Sequence, residues 1–166
     1  MTKEKILGVD PGTQITGWGL IELSGNQYKL IEFGAIKTKA KDSLPEKYLS
    51  IFEGIETILK LYKPDALSVE TQYVHKNVQS ALKLSMARGS VLIASAKNKV
   101  PVFEYTPSKA KQAVTGNGSA SKMQIGRMMQ LLLHLKELPS PEDAADALAL
   151  AITHAHFSKV RPCMNI

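Results

Sequence analysis

The stretch Ile6-Leu7-Gly8-Val9-Asp10-Pro11-Gly12 decides the fold. Its short apolar run predicts a buried strand, and Asp-Pro-Gly predicts a turn directly after that strand. An acid at the end of a buried strand is unusual, because a structural residue there is more often apolar or small. Asp-Pro-Gly is nevertheless good turn chemistry, so Asp10 taken alone favours a structural turn over a function.

The segments around this strand predict an α/β layer fold with a mixed sheet. Three strands come first and a helix follows them, after which strands alternate with helices. The predicted strands cover residues 6–9, 17–23, 28–37, 66–69 and 100–105. The predicted helices cover residues 44–62, 78–97, 107–114, 122–133 and 140–157.

Composition limits the class of protein. The 166 residues contain no repeat or long linker, so we expect one domain over 1–158 and a short tail over 159–166. A content of 44% hydrophobic and 22% charged residues is typical of a soluble globular protein, and no apolar run is long enough to cross a bilayer. The amino terminus does not resemble a signal sequence, and a single cysteine excludes a disulfide scaffold, so we expect a cytoplasmic protein. Lys and Arg outnumber Asp and Glu by 21 to 15, which favours a polyanionic partner.

The helix predicted over 78–97 is short of charge and apolar on two opposite sides. One stripe holds Leu82, Met86, Gly89, Ile93 and Ala96, and the opposite stripe holds Leu84, Ala87, Val91 and Ala94. A helix with two apolar stripes must bury both of them. The second side meets either another helix of this chain, which the residues slightly favour, or a second subunit.

Three more carboxylates stand at unusual positions. Glu70 follows the buried fourth strand, where a carboxylate needs a cation, hydrogen bonds or solvent. Asp143 fits a capping box with Ser140, so a structural role is a strong alternative for it. Asp146 is a poor helix former in a run of alanines and leucines, and it lies three residues after Asp143 on the same helix face. We therefore favour a function for Asp146.

Taken together, the acids predict a metal-dependent nuclease centre formed by Asp10, Glu70, Asp143 and Asp146. Carboxylates that converge in a partly dry site repel one another strongly, and divalent cations make such a cluster tolerable. Ligation by oxygen alone favours Mg²⁺ or Mn²⁺ over zinc. Two such ions, roughly 3.5–4 Å apart, suit phosphodiester cleavage, because one activates water and the other stabilises the leaving oxygen. The four histidines are not spaced as a zinc ligand set.

Basic residues outside this cluster are candidates to hold a phosphate backbone. The candidates are Lys76, Arg88, Lys109, Lys111, Lys122 and Arg127. Two of them flank the polar, Gly-containing loop 115–121, which is a moderate signal for phosphate. Tyr73 is a candidate to stack on a base, although a packed loop tyrosine is the commoner case. We interpret Lys83 as a solvated lysine and His154 as a structural histidine.

Six segments of this chain, in this order, resemble the RuvC family of bacterial Holliday-junction resolvases. They are Ile6-Leu7-Gly8-Val9-Asp10-Pro11-Gly12, Ser80-Ala81-Leu82-Lys83-Leu84, Ala87-Arg88-Gly89, Pro101-Val102-Phe103-Glu104-Tyr105, Gly116-Asn117-Gly118-Ser119-Ala120 and Asp143-Ala144-Ala145-Asp146-Ala147-Leu148. The resemblance extends from about residue 5 to residue 157. It implies a ribonuclease-H-like fold, with a five-stranded mixed sheet whose first three strands are antiparallel and with helices on both faces.

The resemblance also implies an activity and partners. Members of the family are homodimers that bind a four-way DNA junction and, with Mg²⁺, nick two strands symmetrically to leave 5′-phosphate and 3′-hydroxyl ends. The family's four catalytic acids map onto Asp10, Glu70, Asp143 and Asp146, its basic residues near the scissile phosphate onto Lys111 and Lys122, and its stacking aromatic onto Tyr73. The helix over 78–97 resembles the family's dimer contact, and the branch-migration proteins RuvA and RuvB are implied as partners.

Three other functions remain open from the sequence. One is an RNA-processing nuclease of the same fold. Another is an ATP-binding protein of the actin and sugar-kinase type, in which a strand also leads into Asp-x-Gly-Thr, as at residues 10–13. Those proteins resemble duplicated domains of about twice this length and carry a second phosphate loop, which this sequence lacks. The third is a DNA-binding module without catalysis, in which the acids are incidental.

Overall fold

The computed structural model describes residues 2–71 and 76–159 of the chain. Its strands are β1 (Lys3–Asp10), β2 (Ile15–Ser24), β3 (Gln27–Lys37), β4 (Ala66–Glu70) and β5 (Val102–Tyr105). Its helices are α1 (Leu44–Tyr62), α2 (Val78–Lys97), α3 (Pro107–Thr115), α4 (Lys122–Leu132) and α5 (Glu142–Ser158). The predicted succession of elements is confirmed, and both α1 and α2 have their predicted bounds.

The five strands form one mixed sheet in the order β3-β2-β1-β4-β5. β2 runs antiparallel to both β1 and β3. β4 is parallel to β1, and β5 is parallel to β4. The sheet predicted from the resemblance, with three antiparallel strands first, is therefore confirmed.

Side chains of β1 alternate between two layers of helices, as a strand buried on both faces requires. Leu7 and Val9 pack in a cluster with residues of α1 and α2. Ile6 points to the opposite face, where it packs with residues of α4 and α5. Helices thus cover both faces of the sheet, and Asp10 has the same parity as Ile6, which places it on the α5 side.

Local sequence signals begin and end the helices. Thr106 caps α3 by accepting a 3.2 Å hydrogen bond from the Lys109 amide, and proline follows at the first helical position, as predicted. Gly116 ends α3 with a φ of 76°, in the left-handed region that favours glycine. Across residues 2–71 and 76–159, no helix combines the length and hydropathy that crossing a membrane needs.

Two glycines allow α5 to lie directly on the sheet. A Cβ atom on Gly8 would overlap the carbonyl oxygen of Ala147, and one on Gly17 would overlap the backbone of Asp143. In β4, the Ser68 hydroxyl donates a buried 2.8 Å hydrogen bond to a main-chain carbonyl of α5. These backbone contacts fix α5 against β1, β2 and β4, and so they determine where the carboxylates at its amino-terminal end lie.

α2 buries only one of its two apolar stripes within this chain. Ala87, Val91 and Ala94 are fully buried and pack with residues of α1. The other stripe is exposed, with Leu82 at 60%, Met86 at 58% and Ile93 at 64%. One apolar side therefore meets another helix of the chain, and the other has no such cover among the described residues.

Candidate active site

Asp10 and Glu70 end two neighbouring parallel strands. The register of β1 and β4 pairs Val9 with Val69, and the next step along both strands brings Asp10 beside Glu70. Both side chains point to the α5 face, because alternate residues of a strand face the same side. The carboxyl ends of the two central strands therefore carry adjacent acids over which the amino-terminal end of α5 lies.

The first turns of α5 contribute two more carboxylates. α5 begins at Glu142, its N-cap residue is Pro141, and the cap has no side-chain hydrogen bond. The capping box predicted between Ser140 and Asp143 is therefore wrong, because the helix begins one residue too late for Ser140 to serve as its cap. The structural explanation that competed with a function for Asp143 is lost. Asp146 lies one turn further along the helix.

Asp10, Glu70 and Asp146 line a single cleft of about 290 Å³. Its walls also carry Lys111 from α3 and Lys122 from α4. Acids that are up to 136 residues apart in the sequence thus share one cavity with the two lysines that flank the 115–121 loop.

Burial and mutual repulsion raise the pKa values of these acids. Burial is the largest cause of the rise at Asp10, and repulsion from Asp146, Asp143 and Glu70 adds to it, so that this pKa reaches about 7. Burial, followed by repulsion from Asp146, also raises the pKa of Glu70. The pKa of Asp146 is raised by burial, although Lys122 opposes the shift. Four carboxylates therefore interact with one another, and the protein balances only part of their charge.

Lys122 supplies part of that balance. Its Nζ lies 3.9 Å from Oδ2 of Asp146 and 3.5 Å from Oε2 of Glu142. Asp146 is the largest cause of a raised pKa at Lys122. The charge of Lys111 acts on Glu70 in the same favourable sense. The contact with Glu142 was not predicted, although Glu142 lies four residues before Asp146 on the same helix, which is a spacing that brings side chains together.

The donor set fits a hard divalent cation, because all four groups are carboxylates and carboxylate oxygens suit Mg²⁺ or Mn²⁺. Across residues 2–71 and 76–159, no three acidic, histidine or cysteine side chains already converge as ligands of one ion. The acids therefore share an electrostatic environment without forming a closed ligand shell. His154 is no member of this set, since its Nδ1 lies 2.8 Å from the Tyr105 hydroxyl in the buried core, as a structural histidine would.

Two of the other predicted DNA contacts have partners inside the protein. Arg88 forms an ion pair with Glu104 of β5, and its side chain is only 18% exposed. Lys109 lies over the ring of Phe157, with its Nζ 4.3 Å from the ring centroid. Neither side chain lines the acidic cleft.

The remaining predicted contacts lie at the surface or outside the described ranges. Lys76, just before α2, is exposed, and so is Arg127 on α4. Tyr73 belongs to residues 72–75, which lie outside the described residues, as do residues 160–166 of the predicted tail.

A second cleft, of about 420 Å³, is lined by Asp143, whose charge adds to the repulsion at Asp10 and Asp146. The loop after β1 forms one of its walls, and Ser80 and Lys83 of α2 lie on the other. This cleft was not predicted from the sequence, from which we interpreted Lys83 as a solvated lysine. The available signal was the three-residue spacing of Ser80 and Lys83, which puts both on one face of the helix.

A mixed five-stranded sheet with acids at the ends of its central strands is typical of nucleases of the ribonuclease-H-like class. Residues 6–154 match the family model described as "Crossover junction endodeoxyribonuclease RuvC". The chain belongs to the RuvC family.

Individual relatives agree with this assignment. The RuvC of Protochlamydia amoebophila is 55% identical over 152 residues, which cover 92% of this chain and 90% of that protein. The RuvC of Brevibacillus brevis is 47% identical over 153 residues and 92% of each chain. A solved structure, described as "T. thermophilus RuvC in complex with Holliday junction substrate", is 32% identical, covers 98% of this chain and 99% of that chain, and has a TM-score of 0.92.

Proposed function

We propose that this chain resolves Holliday junctions by making paired, symmetric nicks in four-way DNA during recombination and repair. As a RuvC-family protein it is an endonuclease, which hydrolyses phosphodiester bonds. The observation that carries the proposal is the cleft that Asp10, Glu70 and Asp146 line together with Lys111 and Lys122, in a chain of the RuvC family. Acids that share a cleft and have pKa values raised by burial and mutual repulsion are candidates for a functional site.

We assign the catalytic role to Asp10, Glu70, Asp143 and Asp146, in one domain that spans residues 1–158. RuvC-family nucleases depend on divalent metal ions, and we assign Mg²⁺ to this site, two ions per site, with Mn²⁺ able to substitute. A bound divalent ion lowers the pKa of the attacking water and stabilises charge on the leaving oxygen. The four acids supply concentrated negative charge in a partly buried cleft, where a cation relieves the repulsion among them.

Lys111 and Lys122 are proposed to hold the scissile phosphate, because both line the cleft that contains the acids. A phosphate between these lysines would lie over the carboxyl ends of β1 and β4. The other proposed contacts with junction DNA are Tyr73, Lys76, Arg88, Lys109 and Arg127. Of these, Arg88 has the least support, because its charge is paired with Glu104.

A homodimer formed through residues 78–97 is proposed from the exposed stripe of α2. Leu82, Met86 and Ile93 each expose more than half of their surface on one face of this helix. A two-fold axis through that face would give two active sites, which suits the paired nicks that a four-way junction requires. Ile93→Glu is expected to give a monomer by light scattering, and the same change at exposed Leu61 of α1 is its control.

RuvA and RuvB are proposed as partners on family resemblance, and the bacterial cytoplasm is proposed as the place of action because chromosomal DNA is the substrate. Co-purification of this chain with RuvA and RuvB assembled on a junction tests the partners. If each protein binds the junction separately but the three do not associate on it, the proposed partnership is contradicted.

The test of function is incubation of the purified chain with a synthetic mobile four-way junction and Mg²⁺. The expected products are two nicks at symmetric positions, each sealed by DNA ligase because it carries 5′-phosphate and 3′-hydroxyl ends. Junction DNA, RNA–DNA hybrid and structured RNA are offered side by side, and faster cutting of hybrid or RNA contradicts junction resolution.

The metal is tested in the same assay. Chelation with EDTA is expected to stop cleavage, and Ca²⁺ is expected to keep junction binding while suppressing cleavage, since the larger ion tolerates looser geometry. Full turnover in EDTA contradicts the metal assignment.

A further inference from the structure

The wall of the second cleft that is formed by the loop between β1 and β2 has a fixed shape. The Thr16 hydroxyl accepts a 3.2 Å hydrogen bond from the Gly12 amide and donates one of 3.0 Å to the Gly12 carbonyl. Thr38 donates from its hydroxyl to the Thr13 carbonyl at 2.6 Å and from its amide to the Gln14 carbonyl at 3.0 Å. These hydrogen bonds hold the main chain at both ends of the loop, and Thr13 and Gln14 line the cleft.

The opposite wall is formed by the first turns of α2. Ser80 and Lys83 line the cleft from one face of this helix, and the first turn of the helix contains no acidic residue. Lys83 is exposed and forms no ion pair with any residue in the described ranges. A lysine, hydroxyl groups and a side-chain amide are the groups that proteins use to contact nucleic-acid phosphates.

Asp143 relates the second cleft to the other acids, because it lines that cleft and its charge raises the pKa of Asp10 and of Asp146. The first cleft holds the remaining three acids together with Lys111 and Lys122, and the second holds Lys83. A DNA strand bound at the acids and extended past Asp143 would enter the second cleft, which Lys83 lines. Lys83 would then contact the strand beyond the acids, in addition to Lys111 and Lys122.

We infer that the second cleft binds a phosphodiester of the cut strand on the side of the acids away from Lys111 and Lys122, with Lys83 as its cation. Ser80, Thr13 and Gln14 surround the same phosphate. Lys83 is a positioning residue, since it holds the strand in register and does not touch the reacting atoms. This inference rests on the proposed function and names a binding subsite for its substrate.

The test compares Lys83→Gln with Lys29→Gln, which removes the same charge from an exposed position on the edge strand β3. Junction binding is measured in Ca²⁺ over a range of salt concentrations. Loss of one charged phosphate contact is expected to weaken binding about tenfold and to reduce the slope of log affinity against log salt by about one, while Lys29→Gln matches the parent. Lys83→Arg, which keeps the charge, is expected to recover most of the affinity.

Cleavage kinetics separate positioning from chemistry. Lys83→Gln is expected to raise KM about tenfold and to leave kcat within about twofold of the parent, because binding and not the reacting site has changed. Gln14→Ala, on the exposed loop, is a second variant whose expected loss of affinity is about threefold. Melting temperatures of both variants are measured to show that each is folded.

The outcomes distinguish this subsite from the proposed function. Parental affinity and salt slope in Lys83→Gln overturn the subsite, even when the parent cuts junctions. A parent that binds junctions without cutting them overturns the proposed function, and the salt slope of Lys83→Gln still decides the subsite. A chain that binds no junction overturns both.

Discussion

The two ends of α5 bury polar groups on the same face of the sheet and differ in how those groups are balanced. At the carboxyl end, His154 is 2% exposed, its Nδ1 lies 2.8 Å from the Tyr105 hydroxyl, and its ring centroid lies 4.3 Å from that of Phe103. At the amino end, Asp146 lies in a cleft with Asp10 and is balanced in part by a lysine at 3.9 Å.

The difference separates a buried group that the protein pairs by itself from buried charges that a bound cation would balance. Burial lowers the pKa of His154 to about 4, so the ring is neutral at pH 7 and the protein satisfies it by itself. Burial and neighbouring acids raise the pKa of Asp10 to about 7, so this group is held where its charge is unfavourable. Unbalanced charge that folding keeps in place is typical of a functional site.

The largest expected effect is at the amino end of α5, from Asp146→Asn. This variant should bind junctions as the parent does and cut them at least about a thousandfold more slowly, because a carboxylate is removed while the basic surface stays. Glu53→Gln, an exposed acid on α1, is the matched control and should cut at the parental rate. Gel assays of binding and of nicking measure both, and parental cleavage by Asp146→Asn contradicts the site assignment.

The second-largest effect is expected from Gly17→Ala, which tests whether packing on the sheet positions the amino end of α5. In Gly17→Ala the new methyl group meets the Asp143 backbone, so α5 must move away from β2. We expect a loss of about 3 kcal/mol in the free energy of unfolding, measured with denaturant, together with weaker cleavage. Gly126→Ala in α4 is the control, because its Cβ would have only an ordinary 3.7 Å contact and it should be as stable as the parent or more so.

A smaller effect is expected from Asp10→Asn in metal-free buffer. The folded pKa of Asp10, about 7, lies above the ordinary value of 3.8, so the folded protein binds the extra proton and the parent loses stability as pH rises from about 4 to 7. The variant should therefore be about 2 kcal/mol more stable than the parent at pH 8 and equal to it near pH 4. This difference in stability is smaller than the full pKa shift of Asp10 implies, because the neighbouring acids share the repulsion. Denaturant unfolding in EDTA measures this difference, and equal stability at pH 8 would show that the acids do not strain the fold.

The smallest effect is expected at the carboxyl end of α5, where the pH dependence of stability caused by His154 runs opposite to that caused by Asp10. The folded pKa of His154 lies below the ordinary value of 6.5, so the parent loses stability as pH falls from 6.5 towards 4. Oε1 of Glu4 lies 3.7 Å from the His154 Nε2 and would partly compensate a protonated ring, so we expect a loss of only about 1 kcal/mol. His154→Gln should lack this slope below pH 6.5. NMR titration of the ring gives the pKa directly, and a value near 6.5 contradicts the comparison between the two ends.

Most of the fold could be predicted from the sequence because its signals are local. The apolar period of α1 and α2, the Thr106-Pro107 start of α3 and the acids after two apolar strands all lie within a few neighbouring residues. The capping box at Asp143 was wrong for an equally local reason, since Pro141 and not Ser140 became the N-cap residue.

Contacts between distant segments could not be predicted in the same way. Arg88 of α2 pairs with Glu104 of β5, and Lys83 reaches a cleft whose other wall is the loop after β1. The local pattern around Arg88 does not identify Glu104 as its partner, and the spacing of Ser80 and Lys83 does not identify the loop opposite them, because only the packing of helices on the sheet brings these partners near.

The amino-acid sequence by itself determined the order of strands and helices, the four unusual acids and the family, because periodicity and short motifs are properties of neighbouring residues. Tertiary structure alone decided that Asp10, Glu70 and Asp146 share one cleft while Asp143 borders a second. Electrostatic interaction depends on distance through space and on burial, and neither quantity exists until α5 lies against the glycines of β1 and β2.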